Sequence, residues 1–257
     1  MRDLQPLFDP RSIAIVGASN DPLKWGYGLA RGALKGAQRR SVYLVNRGGG
    51  EILGVQAHRS LADVPEQPEL VVVAVPERAF EEAVDAALGA GAKAIVGITA
   101  GLGEAGPDGR ARERTIVERV RSAGALMLGP NCLGVFDAGA ELDVGWSELP
   151  GGSIGVISQS GNLALELALL AESYGLGFSR LASLGNQADL DATDLVEAFA
   201  ADPATRVIAM YVEDFRDGRR FAAACQAAID NGTPVVLLAA GRSAASARAA
   251  LSHTGAL

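Results

Sequence analysis

Short apolar runs recur along the chain, separated by longer stretches in which apolar and charged residues mix at helical spacing. Ser12-Ile13-Ala14-Ile15-Val16 is the first run; it ends in Gly17-Ala18-Ser19 and gives way to a glycine-punctuated segment reaching Leu34. Further runs lie at 42–45, 70–75, 94–98 and 126–128, with helical stretches between them, notably 79–88 and the strongly charged 110–122. Runs this short and uniformly apolar read as strands buried on both faces, and their alternation with helices predicts a parallel, doubly wound sheet. After Leu149-Pro150-Gly151-Gly152 the plan starts again, with strands at 153–157, 178–182, 207–211 and 235–238 and an apolar helix over 163–174. The chain therefore reads as an α/β protein in two parts, residues 1–148 and 149–257. They share a strand–helix plan without a sequence repeat. Ligands of such sheets sit beyond the carboxyl ends of the strands.

Hydrophobic residues make up 49% of the 257 residues but aromatics only 5%, so the core has to be built from Ala, Val, Leu and Ile. A net charge of −7, with no Lys/Arg block, argues against nucleic acid as a partner. The opening Met1-Arg2-Asp3-Leu4-Gln5-Pro6 lacks the layout of a signal peptide. No apolar run approaches the ~20 residues needed to cross a bilayer. The two cysteines, Cys132 and Cys225, form neither a disulfide framework nor a metal-binding pair. The expectation is a reduced, cytoplasmic protein that engages no membrane and no metal.

The strand ends carry the candidate chemistry. Gly17-Ala18-Ser19, followed by Lys24-Trp25-Gly26-Tyr27-Gly28, offers glycines that let backbone approach a phosphate, with positive potential from Lys24 and a helix start. The spacing is not GxGxxG, so a dinucleotide fingerprint is absent. The second strand ends in Asn46-Arg47-Gly48-Gly49-Gly50. Where an NAD enzyme places an acidic residue, Arg47 suits a ribose phosphate and points to NADP or coenzyme A. The alternative is a solvated turn residue. Val75-Pro76, Thr99-Ala100-Gly101 and Gly129-Pro130-Asn131-Cys132-Leu133-Gly134 end the next three strands, Pro130 fixing a turn that aims Asn131 at a ligand. Cys132 reads either as a nucleophile or as a small buried hydrophobe; its apolar neighbours favour the second.

In the second part, Ser158-Gln159-Ser160-Gly161-Asn162 leads from a strand into the apolar helix. Hydroxyls and a glycine at a helix start make an anion site, whereas the plainer alternative is an N-cap by Ser158 or Ser160. A single cap does not account for the whole pentad. Tyr211-Val212-Glu213-Asp214 ends another strand. Asp214 and Asp217 suit helix capping, which leaves Glu213 for a site role such as orienting an imidazole. That imidazole stands in Ser252-His253-Thr254-Gly255, and His253 is one of only two histidines. A histidine on a short polar turn suits transient phosphoryl transfer; a surface residue in a frayed tail is the alternative.

Taken in order, five motifs resemble the α subunit, or α region, of the NDP-forming acyl-CoA synthetases, and more distantly succinyl-CoA synthetase α subunits. They are Ile15-Val16-Gly17-Ala18-Ser19, Gly129-Pro130-Asn131-Cys132-Leu133-Gly134, Ser158-Gln159-Ser160-Gly161, Ser183-Leu184-Gly185-Asn186 and Ser252-His253-Thr254-Gly255. The resemblance implies a Rossmann-like CoA-binding domain followed by a flavodoxin-like ligase domain. It implies His253 as the phosphorylated nucleophile, Glu213 as its carboxylate partner, and phosphate held by Ser158, Gln159, Ser160 and Gly161. Gly17, Ala18, Ser19, Lys24, Asn46, Arg47, Val75, Pro76, Thr99, Asn131 and Cys132 would line the path of CoA or acyl-CoA. In the implied cycle acyl-CoA and phosphate give acyl phosphate and CoA. His253 then takes the phosphoryl group and passes it to ADP, each step being reversible. ATP or ADP and Mg2+ would belong to an ATP-grasp partner, a β subunit or a fused domain, within an oligomer. Nothing in this sequence resembles that part.

Two departures accompany the resemblance. Many relatives carry Asn-Pro where this chain has Asn46-Arg47, and relatives continue beyond the histidine motif whereas this sequence stops four residues after His253. A piece of a longer chain is therefore expected. A CoA-sensing regulatory module of a lysine acetyltransferase is the competing reading, but relatives of that kind often lack the histidine. An NADP-dependent oxidoreductase has only Arg47 and the general fold behind it.

Overall fold

The computed structural model describes residues 2–145 and 149–240. The first sheet contains β1 (Ser12–Val16), β2 (Ser41–Val45), β5 (Leu70–Val73), β6 (Ala94–Gly97) and β7 (Leu126–Leu128). All its strands are parallel, in the order β2-β1-β5-β6-β7. A separate hairpin, β3 (Glu51–Ile52) with β4 (Val55–Gln56), follows β2. β5 and β6 are buried at every position, as their uniformly apolar sequences require. Helices α2 (Trp25–Lys35), α3 (Phe80–Gly89) and α4 (Pro107–Ser122) connect the strands. In α3 the buried residues are Phe80, Ala83, Val84 and Ala87, one stripe of a helix of period 3.6.

The second sheet is built on β10 (Gly151–Ser158), β11 (Phe178–Ser183), β12 (Val207–Val212) and β13 (Val235–Ala239), all parallel, with β10 central between β11 and β12. Helices α5 (Gly161–Ser173), α6 (Ala192–Ala200) and α7 (Gly218–Asp230) join them. Counted by appearance, both halves follow one plan: second, first, third, fourth. In each the connections leave in opposite directions between the first and third strands, which opens a crevice at β1/β5 and at β10/β12.

Two short strands depart from the parallel plan. β8 (Val135–Asp137) and β9 (Leu142–Val144) precede Leu149-Pro150 in sequence yet extend the second sheet antiparallel, beside β11. The N-terminal helix α1 (Gln5–Phe8) also reaches across: Phe8 meets Phe199 of α6 edge-on at 5.5 Å, and the Arg180 guanidinium lies 5.0 Å from the Phe8 ring centre. One hydrophobic core accordingly contains Leu29, Leu44 and Leu70 together with Ile157, Phe199 and Ile208. The linker after β7 is laced to the loop after β11. Asn186 N–H donates to Pro130 O at 2.9 Å, Ala188 N–H to Gly129 O at 3.1 Å, and Leu190 N–H to Met127 O at 3.1 Å. This lacing sets the carboxyl ends of the two sheets against each other. Among the described residues no helix is long and apolar enough to cross a membrane.

Candidate functional site

Two cavities open at the crevices. The larger, of about 690 Å³, is walled by Gly17, Lys24, Val75, Pro76, Thr99, Asn131 and Cys132 from the first half, and by Gln159, Gly161 and Asn162 from the second. The smaller, of about 310 Å³, is walled by Asn46, Arg47, Arg59 and Arg78 among others, and shares Gly17, Val75 and Pro76 with the larger. Gly17 adopts φ +95°, and a Cβ there would lie 2.2 Å from Ala74 O. Only glycine allows the two crevice walls to approach this closely at the point where the cavities meet.

Asn46 shapes its turn through its own side chain. Nδ2 donates to Ala18 O at 2.8 Å, and Oδ1 accepts from Gly48 N–H at 2.7 Å. Arg47 reaches Glu82 at 2.7 Å with both side chains about three-quarters exposed, a pair that water largely screens. Lys24 stands at the mouth, 68% exposed and 3.8 Å from Asp21. Ala18 is buried, and the Ser19 hydroxyl accepts from Asp21 N–H, so these two shape the turn outside both cavity walls. Thr99 donates its hydroxyl to Val75 O at 2.8 Å, tying two strand ends together. Cys132 is buried, and burial pushes its thiol up to about 12; its Sγ lies 3.2 Å from Gly97 O. That thiol is protonated at neutral pH, as the buried-hydrophobe reading expects.

At the second crevice one glutamine organises the geometry. Gln159 N–H donates to Tyr211 O at 2.9 Å, and its Oε1 accepts from Glu213 N–H at 2.8 Å and Asp214 N–H at 3.1 Å. Gln159 lines the larger cavity, and with its Oε1 doubly engaged its Nε2 is the donor end it can offer a ligand there. Ser160 caps α5, its Oγ accepting from Leu163 N–H at 3.4 Å. Ser158 is fully buried and donates to Ser160 O at 2.5 Å, which holds the turn open ahead of the helix N-terminus. Glu213 is buried, and Tyr211 Oη–H donates to its Oε1 at 3.0 Å. Burial first, and then the charge of Glu213, pushes the Tyr211 hydroxyl up to about 12, so it remains a donor. Capping duty falls to Asp217, which accepts from Arg219 and Arg220 N–H at the start of α7. Ser158, Ser160 and Glu213 stand behind the cavity wall rather than in it. His253 lies outside the described residues.

Sequence reading did not find Glu104 and Glu113. Asn186 Nδ2 donates to Glu104 Oε2 at 2.6 Å and to Glu113 Oε2 at 2.7 Å, joining α4 to the loop after β11. Glu113 looks like one more exposed charge of an Arg-rich helix, and the partner that explains its burial is 73 positions away.

Comparison with known proteins places the two halves in families. Residues 11–138 match the family model of a CoA binding domain, and residues 151–257 that of the succinyl-CoA ligase like flavodoxin domain. The α subunit of acetate–CoA ligase (ADP-forming) II from Pyrococcus furiosus is 38% identical over 99% of this chain and 55% of its own. The α subunit 2 of succinate–CoA ligase (ADP-forming) from Archaeoglobus fulgidus is 30% identical over 82% of this chain and 72% of its own. A solved structure of dinucleotide forming acetyl-coenzyme A synthetase 1 from Ca. Korarchaeum cryptofilum, in complex with phosphate and ADP, superposes with a TM-score of 0.92. It is 36% identical, over 100% of this chain and 56% of that one. The chain thus spans about half the length of the first of these relatives and of the solved structure. On these matches the chain belongs to the NDP-forming acyl-CoA synthetase family, as its α part.

Proposed function

We propose that this chain is the CoA-binding and phosphoryl-accepting part of an acid–thiol ligase. It would interconvert acyl-CoA, ADP and phosphate with carboxylic acid, ATP and CoA. The observation that carries this reading is the pair of neighbouring cavities that share Gly17, Val75 and Pro76 in their walls. One is lined by three arginines and the other reaches the start of α5, with Gly17 between them. Coenzyme A has matching parts: phosphates for Arg47, Arg59 and Arg78, a slender pantetheine arm for the constriction at Gly17, and a thioester for the larger cavity.

In that cavity phosphate at the α5 N-terminus meets free N–H groups, the helix dipole and the Gln159 Nε2 donor. A phosphate oxygen attacks the thioester carbon, the C–S bond breaks, and the CoA sulfur leaves as thiolate and takes a proton. A nitrogen of His253 then attacks phosphorus and the carboxylate leaves. Phosphohistidine passes the group to ADP at an ATP-grasp partner, where Mg2+ would be held. Glu213, fixed by Tyr211 and by the Gln159 clasp, supports the charged imidazole. The regulatory-module alternative has no use for a phosphoryl acceptor at His253, and no observation favours it.

Calorimetric titration with CoA, 3′-dephospho-CoA and NADP tests the cavities, and His253→Ala in the assembled enzyme tests the chemistry. CoA should bind, more weakly without its 3′-phosphate, and His253→Ala should abolish phosphoryl transfer while leaving CoA affinity unchanged. Binding of NADP with no response to CoA, or transfer surviving the substitution, would overturn the reading.

A further inference from the structure

The Glu104–Glu113–Asn186 cluster lies just outside the larger cavity and touches its wall at one point. Asn131, which lines that cavity at φ +58°, donates from Nδ2 to Asn186 Oδ1 at 3.3 Å. The opposite end of the Asn186 amide is held by two carboxylates, Glu104 and Glu113. Each of these is fixed in turn. Glu104 Oε1 accepts from Gly101 N–H at 2.5 Å, and Glu113 Oε2 accepts from Gly103 N–H at 3.1 Å. Arg216, from the loop after β12, donates to Asn186 O at 2.8 Å and lies 3.3 Å from Asp214. Arg110, on the same helix as Glu113, donates to Gly103 O at 3.4 Å.

An amide has one donor end and one acceptor end, and a carboxylate accepts only. Two carboxylates therefore force Asn186 to present its NH2 to them and its oxygen to Asn131. Asn131 must answer with its own NH2, which leaves its Oδ1 as the acceptor end for a ligand in the cavity. We infer that Glu104 and Glu113 are positioning residues that act through Asn186, locking Asn131 as a hydrogen-bond acceptor for the pantetheine arm of coenzyme A. The donor it selects is an amide N–H or the terminal thiol. This inference rests on the CoA-binding reading above.

The arrangement makes the lock dependent on pH. Burial, and then the neighbouring charge of Glu104, raises the Glu113 carboxyl; hydrogen bonds from Asn186 and Gly103 and the charge of Arg216 oppose this. Once protonated, Glu113 can donate, and the Asn186 NH2 is then held by the Glu104 carboxylate alone. CoA affinity should therefore fall as pH drops through the Glu113 titration and recover above it. Stability runs the other way. A raised carboxyl contributes stability that is present below its ordinary titration range and is lost as pH rises through the folded value. Glu113→Gln should thus not destabilise the protein at neutral pH.

The experiment is calorimetric titration with CoA from neutral pH downward through the Glu113 titration, alongside thermal melting of wild type, Glu113→Gln, Glu104→Gln and the double variant. Either glutamine alone leaves one carboxylate on the Asn186 NH2, so a single variant loosens the lock and Glu104→Gln/Glu113→Gln together remove it. The double variant should bind CoA about 3- to 10-fold more weakly at neutral pH, the worth of one hydrogen bond. It should also lose the pH dependence and melt no lower than wild type. Each single variant should show a smaller weakening, and the two provide the test if the double variant does not fold. Unchanged affinity in the double variant, or in both single variants where it does not fold, would overturn the lock, and so would weakening matched by a comparable loss of melting temperature. Failure of the wild type to bind CoA at all would instead remove the reading on which the lock rests.

Discussion

At the first crevice the walls are mostly backbone and apolar groups, Gly17, Ala74, Val75, Pro76 and a protonated buried thiol, with Thr99 and Asn131 held by hydrogen bonds among them. At the second the same strand order surrounds Ser158, Gln159 and Glu213, all buried and hydrogen-bonded, with Ser183, Asn186 and Gln187 beside them. The topology is shared and the chemistry is divided. A parallel sheet offers only a crevice and a set of backbone ends, so the side chains placed there decide its use. Apolar walls with a glycine constriction shape a passage for a flexible ligand. A polar network that holds one carboxylate and one amide in fixed directions suits a step in which charge moves.

The comparison breaks most sharply under added methyl groups. In the first half, Gly17→Ala sets a Cβ 2.2 Å from Ala74 O at φ +95°, a collision with backbone in a left-handed conformation. We expect about 3 kcal/mol of lost stability and loss of CoA binding. In the second half, Gly161→Ala meets the Leu133 side chain, with Leu133 Cγ at 2.5 Å, and a leucine can change rotamer. We expect about 1 kcal/mol or less there, since helical glycine is itself unfavourable by a similar amount. Denaturant melts of both variants decide it. Equal costs would show that the first crevice is no more backbone-defined than the second.

The strands of both halves were legible because each is a short apolar run, but burial on both faces holds at every position only for β5 and β6, whereas β13, equally apolar in sequence, is largely exposed. Run ends were less exact: the expected strand at 70–75 stops at Val73, although Ala74 N–H still donates to Val16 O at 2.9 Å before Val75 and Pro76 enter the wall. α1, the β3–β4 hairpin and the β8–β9 pair escaped the reading. Elements of two to four residues carry too little periodicity, and β8 is a strand by virtue of its pairing with β11 and β9. For the site, glycines and prolines at strand ends marked the crevices, since backbone geometry is written locally. The Gln159 clasp and the Asn186 lock were not readable, because each depends on partners more than 50 positions apart.

A smaller effect sharpens the contrast from the second half. Glu213→Gln keeps an acceptor for the Tyr211 hydroxyl but removes the charge. Phosphoryl transfer in the assembled enzyme should slow by about 10- to 100-fold, as when a group that orients a reacting histidine is lost. Tyr211 gives an independent readout that needs no substrate. The Glu213 charge is part of what pushes its hydroxyl up, so in Glu213→Gln ultraviolet titration should show a phenol ionising at lower pH than in wild type. An unchanged rate would take Glu213 out of the chemistry. An unchanged phenol titration would mean that the two groups are not paired in solution.

The smallest effect is expected at Cys132, the first-half residue whose chemistry is most easily misjudged. It lies in the cavity wall where a thioester would come, and a thiol there invites the role of acyl acceptor. The geometry argues otherwise. Cys132 is 2% exposed, its thiol pushed up to about 12 by burial and already turned toward Gly97 O at 3.2 Å. A thiolate in that place would lose that contact. Cys132→Ala should therefore keep transfer within about twofold of wild type, since no step uses the sulfur, and lose about 1 kcal/mol of stability with the buried sulfur and its weak hydrogen bond. Native-state alkylation should leave Cys132 unlabelled, whereas half-buried Cys225 should react first. A variant that folds with near-native stability but loses transfer tenfold or more would move part of the chemistry into the first crevice and erase the division between the halves.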